Sequence, residues 1–201
     1  RWPIDFSKTT TPSGTTDYIV SVNDANGCTD SDTVRVNVIT KPQTFTLTAP
    51  NDLTICAGID GIPLTLSGSQ IGVLYELIKN NNNIGQGKMG TGSALTLGNY
   101  FGGTYQVKAT TNTLPACTVM MTGSVAVNEL PPITAELQSL DDTVCIGESM
   151  QYSVVTSGGS GTGYTYTWQD GQTGNPRSFT TTEYLLVEVT ISDSRGCTLK
   201  R

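Results

Sequence analysis

Cysteine supplies the most recognisable chemistry in this sequence, because two thiols can be oxidised to a disulfide. The chain has five cysteines among its 201 residues, and they are Cys28, Cys56, Cys117, Cys145 and Cys197. An odd number leaves at least one thiol without a partner inside the chain. Paired cysteines are typical of oxidising, extracytoplasmic compartments, so we expect an extracellular protein.

The cysteines belong to two kinds of repeated segment. Cys28, Cys117 and Cys197 each follow an alternating strand and a turn, and a threonine follows each of them. Cys56 and Cys145 each lie in a Thr-x-Cys-x-Gly segment that precedes another strand. Such repetition indicates tandem modules. We predict the bridges Cys56–Cys117 and Cys145–Cys197, with Cys28 unpaired because truncation has removed the other half of its module.

This pairing requires a departure from plain immunoglobulin topology. There the first strand and the last hairpin turn lie at opposite ends of the sandwich, whereas a disulfide needs Cα atoms within roughly 7 Å. The first strand of each module must therefore be short or displaced. Each bridge would then stabilise its module by roughly 3–4 kcal/mol.

Proline-containing segments divide the chain into three modules. Thr40-Lys41-Pro42 and Leu130-Pro131-Pro132 follow strand-like segments, and proline cannot extend a hydrogen-bonded ladder. We expect residues 1–41 to be the C-terminal half of a truncated module, 42–131 a complete module, and 132–201 a module lacking its last strand. The middle one, at about 90 residues, is close to the size of a seven-stranded sandwich.

Composition and patterning predict an all-β fold. The sequence has 33 threonines but only 6 glutamates and 6 lysines, and threonine favours strands whereas glutamate and lysine favour helices. Short alternating segments separated by turn residues every 8–12 positions are typical of β-sandwiches. We therefore predict tandem immunoglobulin-like β-sandwich modules and no helix.

The sequence offers little to a catalytic or cofactor site. It contains no histidine, which excludes His-based triads, His general bases and His metal ligands. Gly85, Gly87 and Gly90 match the G-x-G-x-x-G spacing, but no helix pattern or suitably placed acid follows them. We interpret them as a glycine-rich connection between strands, and we predict no enzyme activity and no cofactor.

Acidic residues cluster around the first Cys-Thr turn. Asp24, Asn26, Asp30 and Asp32 could supply oxygen ligands to Ca²⁺, which takes 6–8 of them. Their spacing matches no EF-hand loop, so we favour solvated turn residues, and a calcium site stays the alternative. The adjacent Asp141 and Asp142 are not expected to form a catalytic pair.

Tyr164, Tyr166 and Trp168 lie at a period of two and should share one face of a strand. Such a row can stack on sugar rings or fill the core of a sandwich. We favour core packing. The alternative makes these modules accessory or carbohydrate-binding parts of a secreted hydrolase.

The charge of the chain limits its partners. A net charge of −6 and a pI of about 4.5 disfavour nucleic acid and anionic membranes. No apolar run approaches the roughly 20 residues of a membrane span. We expect neither nucleic-acid binding nor a membrane span.

The arrangement Ile-Cys-x-Gly, Thr-x-Tyr-x-Val, Gly-Cys-Thr resembles the PKD-like and Ig-like repeats of Bacteroidota cell-surface proteins. The segment Asp24-Ala25-Asn26-Gly27-Cys28-Thr29 is particularly similar, and residues 64–69, 90–95 and 103–105 resemble one subtype of these repeats. The resemblance implies a non-catalytic stalk segment of a large cell-surface adhesin of the gliding-motility type, exported by the type IX secretion system. It implies neighbouring modules as partners, together with surface glycans or the secretion and motility machinery.

The same resemblance implies a modification. Asp32-Thr33-Val34 and Asp142-Thr143-Val144 fit the short Asp-Ser/Thr-apolar acceptor pattern of O-glycosylation in that phylum. Thr33 and Thr143 are therefore the candidate acceptors.

Overall fold

The computed structural model describes residues 7–139, 143–181 and 186–201, and these residues form strands and no helix. The strands are β1 Thr16–Asn23, β2 Thr29–Val36, β3 Leu47–Thr48, β4 Thr54–Cys56, β5 Ile62–Leu66, β6 Val73–Lys79, β7 Asn82–Met89, β8 Leu95–Tyr100, β9 Gly103–Thr111, β10 Thr118–Met120, β11 Val125–Leu130, β12 Thr134–Ser139, β13 Ser149–Ser157, β14 Thr165–Trp168, β15 Arg177–Thr180, β16 Val189–Ser192 and β17 Thr198–Lys200.

The first two strands form an antiparallel hairpin, in which Tyr18 pairs with Val34. The turn contains Asn26-Gly27, and Gly27 has a φ of 86°, which a glycine adopts without steric cost. The amide of Gly27 donates to the carbonyl of Asp24. Both faces of this hairpin are largely exposed.

The strands β3–β11 form the middle sandwich. One sheet has the order β4-β11-β9-β6-β7, with β10 also paired to β9, and the facing sheet has the order β3-β5-β8. Alternate residues of the two sheets point between them, as in immunoglobulin domains. The core residues that are almost fully buried are Leu64, Leu66, Tyr75, Tyr105, Val107 and Ala109.

A parallel pairing fixes the first strand of the larger sheet. Strand β4 runs parallel to β11, with Cys56 opposite Leu130. Ile55 points into the core of the middle sandwich, so Cys56 faces the opposite way, because successive side chains alternate across a strand. The pairing therefore places Cys56, at the end of β4, beside Leu130, where the chain leaves the middle sandwich.

The strands β12–β17 form the C-terminal sandwich, from the sheets β12-β13-β15 and β14-β16-β17. Trp168 lies between them and meets the ring of Phe179 edge-on, with centroids 5.4 Å apart. Val189 and Ile191 complete the centre of this core. The prediction of an all-β fold built from immunoglobulin-like sandwiches is confirmed.

Candidate functional site: the junction between the two sandwiches

A disulfide joins the two sandwiches. Cys56 of the middle sandwich is bonded to Cys197 of the C-terminal sandwich, with Cα atoms 5.4 Å apart and 141 positions between them in the sequence. Cys197 belongs to the core of the C-terminal sandwich, and Cys56 and Leu130 pack against that core. The bridge therefore crosses the Leu130-Pro131-Pro132 connection rather than closing a loop within one module.

The loop between β16 and β17 holds Cys197 in place. Asp193 lies in it, is only 7% exposed, and accepts the backbone N–H groups of Arg195 and Cys197 on Oδ1, each at 2.9 Å. Its Oδ2 accepts the N–H of Ser160 at 2.6 Å. The Asp193 amide donates to the Cys197 carbonyl, so one aspartate fixes both ends of the loop.

Burial acts to raise the pKa of Asp193, but the backbone N–H donors outweigh it and hold the pKa below the usual value. The donors are those of Ser160, Cys197 and Arg195. A carboxylate that accepts several amides is stabilised in its charged form. Asp193 is therefore ionised at neutral pH despite its burial.

An ion pair lies beside the disulfide. Nη2 of Arg195 is 2.8 Å from both carboxylate oxygens of Asp52, a residue of the middle sandwich. The backbone N–H of Thr54 is the main group that holds the pKa of Asp52 below its usual value, and Arg195 adds to that effect. The pair is solvent-exposed, so we expect it to contribute little to stability.

The residues of the junction line a shallow cleft of about 280 Å³, which includes Asp52, Cys56, Ile59, Leu130 and Arg195. Its polar lining comes mainly from groups that already bond each other across the junction. The arrangement can hold two sandwiches together, and it contains no nucleophile paired with a base among the residues described.

The predicted bridges Cys56–Cys117 and Cys145–Cys197 are wrong, since Cys117 and Cys145 are free. Leu130, beside Cys56, lies beyond the Gly103 end of β9, whereas Cys117 bonds Thr111 at its other end. These ends are about 27 Å apart for a nine-residue strand. The first strands, β3 and β4, are short, as the prediction required, but β4 pairs with the end of β11 and leaves Cys56 at the end of the sandwich away from Cys117.

The second predicted pair fails for the same reason. Cys145 lies at the Ser149 end of β13, where Glu148 donates its amide to the Cys145 carbonyl. Cys197 lies beyond the opposite end of β13, near Ser160. Cys28 is exposed and free as well.

The glycine motif lies within a strand rather than in a connection. Gly85 and Gly87 belong to β7, Gly90 bridges Ile71, and β8 follows. A Cβ on Gly87 would lie 2.9 Å from the carbonyl oxygen of Tyr75, so glycine permits the close approach of β6 and β7. A helix that could cradle a phosphate does not follow.

The acids around the first turn bond backbone amides. Asp24 Oδ1 accepts the N–H groups of Asn26 and Cys28, each at 2.8 Å, and the Cys28 amide is the main cause of its lowered pKa. Asp30 and Asp32 each accept the amide of the next residue. Within the described ranges no group of three or more acids, cysteines or histidines is placed to hold a metal. Asp141 and Asp142 lie outside the described residues.

The aromatic row belongs to the core. Trp168 is 2% exposed, and its indole N–H donates to the carbonyl of Gly174 at 2.7 Å. Tyr164 and Tyr166 are half-buried, and their hydroxyls donate to Gly158 and Thr156. The preference for core packing over a sugar-stacking face agrees with this burial.

The two candidate glycosylation residues are exposed. Thr33 lies on β2, where its amide donates to Asp32 at 2.8 Å. Thr143 is exposed as well, while the neighbouring Asp142 lies outside the described residues.

Sequence reasoning missed Asp193, Asp52 and Arg195. A signal for the first was present, because Asp24 and Asp193 occupy the same place in two Asp-x-x-Gly-Cys segments. No comparable signal marks Asp52, which meets Arg195 across 143 positions of sequence.

In the described part of the chain, no helix is long and apolar enough to cross a membrane.

Comparison with known proteins gives structural likenesses only. No family model matches the chain, and no curated protein matches it. The structure of an amphioxus IgVJ-C2 molecule is similar at 13% identity and a TM-score of 0.30, covering 81% of this chain and 96% of that one. The fibronectin(III)-like modules of Clostridium thermocellum CbhA are similar at 15% identity and a TM-score of 0.32, covering 78% of this chain and 90% of that one. The architecture therefore rests on the strand order and burial described above.

Proposed function

We propose that this chain is a non-catalytic stalk segment of a large secreted cell-surface adhesin, of the gliding-motility type that the type IX secretion system exports. The observation that carries the proposal is the disulfide between consecutive sandwiches, Cys56–Cys197. A stalk must transmit tension through its modules, and a covalent bridge across a module boundary does this without relying on the hydrogen bonds of either sandwich.

The position of the bridge determines which residues tension can extend. When the chain is pulled from its ends, force reaches Cys56, crosses the sulfur–sulfur bond and leaves at Cys197. Nearly all of both sandwiches lies inside the loop of 141 positions that this bond closes. The oxidised junction therefore shields the strands β5–β16 from tension.

The proposal extends to location and partners. A disulfide-bonded chain belongs in an oxidising compartment, which supports an extracellular position. Neighbouring modules are its first partners, and surface glycans or the secretion and motility machinery are the others. The alternative of a carbohydrate-binding module loses its main residue, because Trp168 is buried.

Single-molecule pulling tests the mechanical role. A reductant should add about 480 Å of extension, since 141 further residues become extensible at roughly 3.4 Å each. Cys56→Ser should show that extra extension without reductant, and the matched variant Cys117→Ser should behave as the parent. An equal extension with and without reductant would contradict the proposal.

Intact mass of the protein secreted by cells that make it tests the modification. We expect sugar masses on Thr33, Thr143 or both, and their loss in the double variant T33A/T143A. Detection of the protein on intact cells by an antibody raised against residues 7–139 tests the surface location. Protein without added mass would remove the modification from the proposal, and protein confined to the cell interior would contradict the stalk.

A further inference from the structure

Three cysteines occupy the same position in three hairpin loops. In each loop the cysteine amide donates to a side-chain oxygen of a residue at the end of the preceding strand or directly after it. That residue donates its own amide to the cysteine carbonyl. The amide-to-oxygen distances are 2.8 Å for Cys28 to Asp24, 2.8 Å for Cys117 to Thr111 and 2.9 Å for Cys197 to Asp193. The return distances are 2.9, 2.9 and 3.0 Å. We call these three the loop cysteines.

The other two cysteines occupy a second repeated position. Cys56 and Cys145 each precede a glycine with positive φ, Gly58 at 78° and Gly147 at 92°. Each lies at the end of its sandwich away from that sandwich's own loop cysteine, which is why the pairing within modules fails. We call these two the first-strand cysteines.

The bridge Cys56–Cys197 joins a first-strand cysteine to the loop cysteine of the following sandwich. Its position has a counterpart at the preceding connection. Cys117 directs its Sγ to the carbonyl of Ile39 at 3.7 Å, so it faces the segment that enters the middle sandwich, just as Cys197 packs with Leu130 at the next connection. The loop cysteine thus faces the preceding module in both sandwiches.

We propose that Cys145 forms a second bridge of this kind, to the loop cysteine of a module of the same type that follows the C-terminal sandwich, and that Cys117 receives the first-strand cysteine of a preceding module. The inference rests on the proposed function, in which the chain is one part of a tandem array. Successive bridges then overlap along the array, since each spans one module boundary and the next begins inside its loop.

The chemistry is a balanced thiol–disulfide exchange. Two thiols lose two protons and two electrons and form one sulfur–sulfur bond, while a disulfide of an extracytoplasmic oxidoreductase or of a low-molecular-weight thiol is reduced to two thiols. Cys145 is exposed, so both the oxidant and the incoming loop cysteine can reach it.

An extended chain tests the bridge. Arg201 lies four positions after the loop cysteine Cys197, just as Met121 lies four positions after the loop cysteine Cys117. The residues that follow Met121 in the middle sandwich are therefore added after Arg201, so that residues 122–201 are repeated there. This addition supplies a second copy of β11, of the Leu130-Pro131-Pro132 connection and of the C-terminal sandwich. The protein is oxidised with glutathione disulfide, alkylated, digested without reduction and analysed by mass spectrometry.

We expect Cys56–Cys197 to persist and a new bridge to join Cys145 to the added copy's loop cysteine. Cys145 should change from fully alkylated in the 201-residue chain to largely protected, while the added copy's own Cys145 stays alkylated and serves as the internal control. Replacing the added loop cysteine with serine should return the original Cys145 to full alkylation. Protection that survives this replacement would overturn the proposal.

A second extension keeps the test independent of how one added module folds. It appends residues 122–131 and then 42–131, so that the recipient is a copy of Cys117. Cys145 left reactive in both extensions, with Cys56–Cys197 intact, overturns the inference while leaving the stalk proposal in place. Absence of Cys56–Cys197 from the digest overturns both proposals, because the stalk proposal and the second bridge at Cys145 are each derived from that disulfide.

Discussion

The hairpin β1–β2 and the strands β9 and β10 of the middle sandwich have the same sequence pattern and different surroundings. Tyr18-x-Val20 in the first corresponds to Tyr105-x-Val107 in the second, and both run into a loop cysteine. Val20 is 61% exposed, whereas Val107 is fully buried. The difference shows that the alternating pattern is enough to form the hairpin but that burial depends on a second sheet.

The second sheet is present in one case and not in the other. In the middle sandwich, Leu64 and Leu66 of β5 belong to the same core as Val107. Among the described residues, the faces of β1 and β2 have no comparable cover, and Val20, Val22 and Val34 stay exposed. A two-stranded hairpin on its own is marginally stable in water, so most of the folding free energy comes from the two sandwiches.

A buried charge should give the largest contrast between the two regions. We expect Val107→Asp to destabilise the middle sandwich by more than about 4 kcal/mol, because an unpaired carboxylate would enter a closed apolar core. The matched variant Val20→Asp should change stability by less than about 0.5 kcal/mol, since its side chain reaches water. Urea titration followed by near-ultraviolet circular dichroism measures both.

Equal destabilisation by the two substitutions would break the comparison. It would mean that the face of β1 carrying Val20 is covered in solution. A small effect at Val107 would instead show that the middle sandwich is not packed as described.

Local sequence was a good guide to the strands and their turns. The alternating pattern is present in β5, β6 and β9, and Asn26-Gly27 is a typical hairpin-turn dipeptide, because these features depend on neighbours a few residues apart. Proline marked the connection at Leu130-Pro131-Pro132. The all-β class followed from the same local signals together with the abundance of threonine.

The pairing of the cysteines depended on long-range geometry. Cys56 lies closer in sequence to Cys117 than to Cys197, and loop-closure arguments treat each separation as nearly equivalent because the entropy grows only with the logarithm of length. What decides the pairing is the parallel contact of β4 with β11, which puts Cys56 at the end of the middle sandwich nearest the next one. No pattern within a single module predicts that contact.

Asp24 and Asp193, the aspartates of the two Asp-x-x-Gly-Cys loops, give a second, smaller contrast. Asp193 uses both carboxylate oxygens, Oδ1 for Arg195 and Cys197 and Oδ2 for Ser160. In Asp193→Asn an amide would face the Ser160 N–H, donor against donor, and we expect a loss of about 2 kcal/mol. Fluorescence of Trp168 during urea unfolding, in a Trp2→Phe background, measures it.

Asp24→Asn is the matched control, because Asp24 accepts both amides on Oδ1 and asparagine retains an oxygen there. The pH dependence adds a separate check. Since the pKa of Asp193 is lowered from 3.8, its stabilising contribution is complete above that value and is lost as pH falls through the folded-state pKa. The stability difference between parent and Asp193→Asn should therefore shrink in acid. A difference that grows in acid would contradict the bonding of Asp193.

The smallest effect should come from a substitution of Arg195, the residue that distinguishes the Asp193–Cys197 loop from the Asp24–Cys28 loop. Arg195 stands where the first loop has Asn26, and only Arg195 reaches Asp52 across the junction. Arg195→Asn should raise the pKa of Asp52 measured by carbon-detected NMR, yet leave it below the usual value, because the Thr54 amide is the larger cause of its lowering. The disulfide should still form in this variant, since Asp193 holds Cys197 without help from the arginine side chain. If Arg195→Asn prevented the Cys56–Cys197 bridge, the ion pair rather than the loop would be what aligns the two sandwiches.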